Sequence, residues 1–263
     1  RTGNRFGNFQ AVDHMAHDGL VNAYDGKAMG EFAELAVDKY QFSREEQDAY
    51  AIESVKRAQA AQANGAFAAE ITPVKVASRK GEVEVSIDEQ PTRADIAKVP
   101  TLRPAFKKDG SVTAASSSSI SDGAAAVVLL SEDDAAARGL QPLARIVAHA
   151  THSQQPEWFT TAPIGAIHTL LQKAGWTLAD VDLFEVNEAF AVVAMAPMRE
   201  LGIPHERLNV NGGACALGHP IGASGARLVV TLVHALRSRG GKRGIATLCI
   251  GGGEATAIAI ELI

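Results

Sequence analysis

The sequence predicts a layered α/β protein, and three observations carry that prediction. From Pro142 onward, short apolar runs alternate with longer runs of helical period. The short runs are bounded by Gly, Pro and Asn, as buried strands are. The last two, "RGIATLCIGGG" and "EATAIAIELI", follow one another across a glycine turn and must pair antiparallel.

In chain order, "GEFAELAVDKY" reads as a short helix. "SREEQDAYAIESVKRAQAAQANGAF" reads as a long one, with Ser43 as N-cap, Glu46 completing a capping box and Asn64-Gly65 stopping it. Tyr50, Ala51, Val55, Ala58 and Ala61 share one face of it. "EITPVKVASRKGEVEVSIDEQ" alternates as a hairpin turning at Lys80-Gly81. "QPTRADIAKVPTLRPAFKKDGSV" is broken by prolines into loop and short helical turns. "AAAVVLLS" is a continuous apolar run, which predicts a strand over 124–130 buried on both faces. "SEDDAAARG" follows as a capped helix. Then come the strand "LARIVAHA", the helix "PIGAIHTLLQKAG", the strand "VDLFEVN" and the helix "EAFAVVAMAPMREL". A short strand "LNVNGG" and the long helix "GASGARLVVTLVHALRSRG" lead into the final pair.

Bulk properties exclude several classes. The chain has 263 residues, 46% hydrophobic and 21% charged, enough for one large domain or two ordinary ones. A net charge of -5 offers no basic field for nucleic acid or an anionic membrane. No run approaches the ~20 apolar residues of a membrane span. Two cysteines build no disulfide framework, which points to a reducing, cytoplasmic setting. Neither CxxC nor HxxxH spacing occurs, so no metal is expected. The chain opens at Arg1 without Met or an apolar signal core, and the strand over 124–130 has few partners. Both suggest a longer protein whose sheet partners lie upstream.

Three stretches could carry chemistry. His219, in "LGHPIG", precedes the long helix, whose free N–H groups would favour a neutral imidazole; alternatively it is a loop histidine with a satisfied hydrogen bond. Cys249 ends a buried strand before three glycines whose N–H groups could form an anion nest and lower its pKa; alternatively it is a small buried hydrophobe. Asn187 and Glu188 stand where a strand meets a helix, either at a ligand site or as an N-cap with a dipole-favoured acid. Cys215 reads as packing, and the remaining histidines, including helical His234, as structural.

Taken together, "NVNGGACALGHPIGASGAR", "LCIGGGEATAIAIEL", "VNEAFA" and "SDGAAAVVLLSE" resemble the signatures of thiolases. "DGLVNAYDGKAMGEFAE" and the long helix are similar to that family's loop domain, so the resemblance runs from about Asp13 to Ile263. It implies a thiolase fold, layered α/β/α/β/α, with βαβαβαββ halves, the first incomplete here, plus an inserted loop domain. The implied parts are a loop domain over 1–115, the last strand and helix of the N-terminal half over 116–141, and the C-terminal half over 142–263.

The implied activity is acetyl transfer between two acetyl-CoA molecules, forming or cleaving acetoacetyl-CoA by Claisen chemistry. The implied alternatives are a longer-chain 3-oxoacyl-CoA thiolase and a non-catalytic acyl-CoA- or lipid-binding module. The resemblance gives His219 the activation of an acyl-accepting cysteine, and Cys249 the proton at the α-carbon. Asn187 would hold a water that, with His219, faces the enolate oxygen, and the Gly251 N–H would serve a second oxyanion hole. Ser118 and Met29 match residues along coenzyme A, and Arg93 aligns loosely with a basic residue along its nucleotide; alternatively Arg93 is a solvated loop arginine. No metal or redox cofactor is implied, and a homodimer or homotetramer is. In two places the chain departs from the family. The acyl-accepting cysteine is absent, which implies an inactive chain as written. Ala28 replaces a histidine of many acetyl-specific relatives, and Ser116 replaces an asparagine.

Overall fold

The computed structural model describes Gly3, residues 6–79 and residues 81–263. Arg1, the expected cut end, and Lys80, half of the expected hairpin turn, lie outside them.

The first region is helical. Helix α1 spans Met29–Tyr40 and α2 spans Arg44–Ala63. The Ser43 hydroxyl accepts from the Glu46 N–H at 3.1 Å and the Glu46 carboxylate accepts from the Ser43 N–H at 2.8 Å, so the capping box forms as its sequence demands. Strands β1 (Val74–Ser78) and β2 (Gly81–Val85) make an antiparallel hairpin. Two short turns follow, helix α3 (Gln90–Arg93) and a 3₁₀ segment Ile96–Thr101.

The strand expected over 124–130 is not formed. The segment has no ladder partner among the described residues, and Val127, Val128, Leu129 and Leu130 are exposed. A backbone takes strand form only beside another that satisfies its N–H and C=O groups, and none of the described strands runs alongside. Helix α4 (Glu132–Ala137) does follow it, with the Ser131 hydroxyl capping the Asp134 N–H at 3.1 Å.

The second region is a sheet between helices. Strands β3 (Ala144–Ser153), β4 (Leu183–Val186), β5 (Arg243–Ile250) and β6 (Glu254–Leu262) lie in the order β3-β6-β5-β4. β5 and β6 are antiparallel across the glycine turn, β3 is antiparallel to β6, and β4 is parallel to β5. Strand periodicity divides the side chains between two faces. Ile245, Cys249, Ala255, Ala257 and Ala259 join one core with helices α5 (Ala162–Ala174) and α6 (Ala191–Leu201). Ala246, Leu248, Ile258 and Ile260 join another with α8 (Ser224–Arg239), while a single turn, α7 (Ala214–Leu217), precedes it.

Of the short strand expected at "LNVNGG", a single parallel bridge between Phe184 and Leu208 forms, and a side-chain device completes the pairing. Asn209 adopts φ 49°, the left-handed region that Asn tolerates. Its Oδ1 accepts from the Val186 N–H at 2.8 Å and its Nδ2 donates to the Val186 carbonyl at 2.8 Å. One amide side chain thus does for β4 what a neighbouring residue in a ladder would do.

Candidate functional site

The carboxyl ends of β4 and β5 face the start of α8. Asn187 follows β4 directly, and its N–H donates to the Thr247 carbonyl at 3.0 Å, two residues before Cys249. Parallel register therefore sets Asn187 and Cys249 at the same end of adjoining strands. His219 arrives from the other side. Its N–H donates to the Ser119 carbonyl at 3.0 Å, and the preceding Gly218 has φ 83°. A Cβ there would collide with the Ser119 and Ser121 hydroxyls, so only glycine allows the loop to sit this close. An open cleft of about 440 Å³ adjoins it, lined by Ser121–Ala125 and Pro220–Ala223.

Both ring nitrogens of His219 have a hydrogen-bond partner. The Ser224 hydroxyl donates its only proton to the Pro220 carbonyl at 3.1 Å. With the hydroxyl turned to Pro220 in this way, His219 Nδ1, 2.5 Å from its oxygen, carries the proton and donates. Nε2 keeps its lone pair and accepts from Asn187 Nδ2 at 3.3 Å. Burial, and then the Arg227 charge, hold His219 down to about 4, so the resting ring is neutral. The sequence expectation of a neutral ring came from the helix N-terminus; burial and a specific cation are the causes found here.

Cys249 corrects an expectation. It is buried at the end of β5, and burial pushes its thiol up to about 12. Removal from water outweighs nearby donors, so the expected lowering does not occur. Cys215 is likewise pushed well above the ordinary thiol range, by burial and then the Glu188 charge. Neither thiol rests as a thiolate.

Asn187 is not an N-cap. Helix α6 starts later, with Phe190 in that position, and Asn187 Oδ1 is buried without a hydrogen-bond partner among the described residues. Glu188 does not serve a helix dipole either. Its carboxylate accepts from Tyr50 Oη at 2.8 Å, Ser54 Oγ at 2.7 Å, Asn209 Nδ2 at 2.8 Å and the Cys215 N–H at 3.0 Å. A Cβ on Gly213 would strike that carboxylate. Helix α2 is thereby locked to the loop that leads to His219.

The remaining expected residues are distributed unevenly. Met29 stands over exposed Gly251, within 3.7 Å of where a Cβ on that glycine would lie. Ser118 donates through both N–H and Oγ to the Ala189 carbonyl at 3.0 Å, beside Asn187 and Glu188. Ser116, in the departing position, is buried, and its Oγ accepts from the Thr113 N–H at 2.9 Å. Arg93 stays apart, exposed and 3.6 Å from Glu89. Ser224, Arg227 and Glu185 went unread in the sequence. Only Ser224, five residues after His219 at the first turn of a helix, offered a spacing that could have drawn attention to it.

A neutral imidazole with an amide at its Nε2 is a pair suited to moving protons at a polarised carbonyl, and a protonated thiol ends the adjoining strand. Residues 1–133 match the family model for the thiolase N-terminal domain, and residues 140–262 that for the thiolase C-terminal domain. The chain belongs to the thiolase family. It is 48% identical over 262 residues to a probable acetyl-CoA acetyltransferase of Dictyostelium discoideum, covering 99% of this chain and 63% of that one. The structure of the Bacillus anthracis acetyl-CoA acetyltransferase superposes with a TM-score of 0.94 at 42% identity, over 100% of this chain and 67% of that one. That of human mitochondrial 3-ketoacyl-CoA thiolase gives 0.89 at 38% identity, over 100% and 68%. The chain therefore has the thiolase fold and spans about two thirds of the length of these relatives. No helix among the described residues is long and apolar enough to cross a membrane.

Proposed function

We propose that the full-length protein is an acetyl-CoA C-acetyltransferase, exchanging acetyl groups between acetyl-CoA and acetoacetyl-CoA. The observation that carries this reading is the Asn187–His219–Ser224 chain at the end of the strand adjoining Cys249. His219 Nε2, holding a lone pair, takes the proton of an acyl-accepting thiol. Once protonated, it donates to the thioester oxygen as the enolate forms, alongside a water held by Asn187. Cys249 moves the proton at the α-carbon. A thiol kept protonated at rest suits the donor half of that exchange, and removing its proton requires a partner base generated in the reaction. Gly251 offers its N–H to a tetrahedral intermediate, with Met29 above it. Ser118 and Arg93 would lie along the coenzyme A arm and nucleotide.

On this reading the acyl-accepting cysteine is neither of the two in this segment: Cys249 is given the α-carbon proton, and Cys215 lies against Glu188, whose charge opposes a thiolate. On this reading the 263-residue segment alone turns over no substrate, residues 1–115 are the loop domain and 142–263 the C-terminal half. The chemistry asks for no metal or redox cofactor. A cytoplasmic homodimer or homotetramer is the assembly proposed.

The test is thiolysis of acetoacetyl-CoA and of longer 3-oxoacyl-CoA substrates by the full-length protein. The expected result is turnover with the four-carbon substrate preferred. Preference for longer chains supports the other thiolase reading, which the exchange of a histidine for Ala28 favours. Coenzyme A binding without turnover of either substrate overturns both.

A further inference from the structure

The turn that carries Gly251 has little stiffness of its own. It joins Ile250 to Glu254, which pair across β5 and β6, through three successive glycines, with Gly252 at φ 96° and Gly253 at φ 90°. Glycines loosen a backbone, and an N–H serves a developing oxyanion well only if it is held in place beforehand. The rigidity must come from outside the turn.

Strand β3 supplies it. Its ladder with β6 ends at the Ser153–Glu254 pair, and the next contact reaches into the turn: the Gln154 N–H donates to the Gly253 carbonyl at 2.9 Å. A Cβ on Gly253 would lie 2.3 Å from the Gln154 carbonyl oxygen, so the two backbones touch. The Gln154 side chain uses both of its amide hydrogens. Nε2 donates to the Trp158 carbonyl at 2.5 Å and to Thr161 Oγ1 at 2.8 Å, and that hydroxyl donates in turn to the Trp158 carbonyl at 3.1 Å. With the amide turned this way, Gln154 Oε1 faces His152 and accepts from its Nε2 at 3.2 Å. The His152 ring lies over Gly165 of α5, where a Cβ would come within 2.5 Å of it.

The same side chain reaches the opposite wall of the site. Trp158 and Thr161 belong to a 3₁₀ segment, Pro156–Thr161, that packs against α1. Phe159 meets Phe32 edge-on, with ring centroids 6.3 Å apart, and Phe32 lies one turn beyond Met29 on α1. Gln154 thus braces Gly251 through the turn, and through α1 it braces the Met29 that stands over Gly251. A polar network with its bonds made rigidifies what it joins.

We propose that Gln154, oriented by His152, is a positioning residue that holds the Gly251 N–H on the tetrahedral intermediate of acyl transfer. The inference rests on the role given to Gly251 in the function proposed above. It separates the two halves of the reaction. Gly251 lies in the braced turn, whereas Cys249 lies within the ladder, paired with Ala255. Loss of the brace therefore weakens acyl transfer and spares the proton at the α-carbon.

The experiment uses the full-length protein and two isotope readouts. Exchange of labelled coenzyme A into acetyl-CoA needs acyl transfer alone, and deuterium entry at the acetyl-CoA methyl reports the α-carbon proton. Gln154→Leu keeps the shape and removes the bonds. It should lower kcat of the label exchange about tenfold, with KM and methyl exchange within about twofold of the wild type. His152→Phe fills the slot over Gly165 without a donor and should lower label exchange about fivefold, while His152→Gln, which keeps a donor, should restore it. Equal losses in both readouts, or unchanged label exchange in a folded Gln154→Leu protein, overturn the proposal. Should that variant not fold, His152→Phe decides by the same two outcomes. Deuterium uptake at the residue-154 amide, which bonds to Gly253, should also be faster in His152→Phe than in the wild type. If the wild type exchanges no label, the acyl-transfer reading falls, and unchanged uptake at that amide in His152→Phe overturns the brace as well.

Discussion

Asn187 and Glu188 are adjacent and equally buried, at 0% and 1% exposure, yet they are built to opposite ends. Glu188 has four donors on its carboxylate, from α2, Asn209 and the Cys215 turn. Asn187 has one long hydrogen bond to His219 and a carbonyl oxygen with no partner among the described residues. A buried polar group that is fully satisfied rigidifies what it touches, and one left partly open stays available to something else. The chain has placed a structural knot and a reactive group side by side on one strand end. The knot holds the loop from which His219 reaches the reactive one.

The contrast can be broken by changing each side. The largest effect expected is His219→Ala, which should lower thiolysis by the full-length protein by about 10²–10⁴-fold while leaving the urea midpoint nearly unchanged. A matching loss of stability would place His219 on the structural side. Glu188→Ala should do the reverse, costing about 3–5 kcal/mol in urea denaturation because four donors lose their acceptor. A loss below about 1 kcal/mol would show the knot to be dispensable. Asn187→Ala should reduce kcat by about 10²-fold with little change in stability, as removal of one oxyanion donor does.

A pH experiment sharpens the same comparison. Glu185 has a folded pKa of about 8, above the usual 4.5. Between those values the folded state holds a proton that the unfolded state has released, so stability falls as pH rises through that window. Glu185→Gln should flatten that fall, measured as urea midpoint against pH. His219 acts in the opposite direction. Its folded pKa of about 4 lies below the usual 6.5, so the unfolded state takes up the proton first, and stability falls as pH drops from 6.5 to 4. The smallest effect expected is Ser224→Ala, about fivefold in kcat/KM, the worth of one ordinary hydrogen bond.

Local rules made much of the fold legible. Ser43 and Glu46 announced α2, and the period-two runs announced the hairpin and the β5–β6 pair. What depended on distant neighbours was not legible. The apolar run 124–130 has strand composition but, among the described residues, no strand beside it. "LNVNGG" kept one bridge to β4 and gave the rest of its pairing to the Asn209 side chain, a choice that no periodicity reveals. His219, Asn187 and Cys249 could be picked out because glycines and strand ends flank them. The rise in the Cys249 pKa could not, since it depends on burial by α5, α6 and β6. Glu185 and Arg227 looked like ordinary charges on a strand and a helix; only their meeting 3.6 Å apart in the interior sets them apart.

The most direct test of the central claim follows deuterium entering the methyl group of acetyl-CoA in D₂O, catalysed by the full-length protein. The arrangement at the ends of β4 and β5 predicts exchange by the wild type and its loss in Cys249→Ala, with coenzyme A binding retained. Exchange at the wild-type rate in Cys249→Ala would contradict it, because α-carbon proton transfer would then belong to another group.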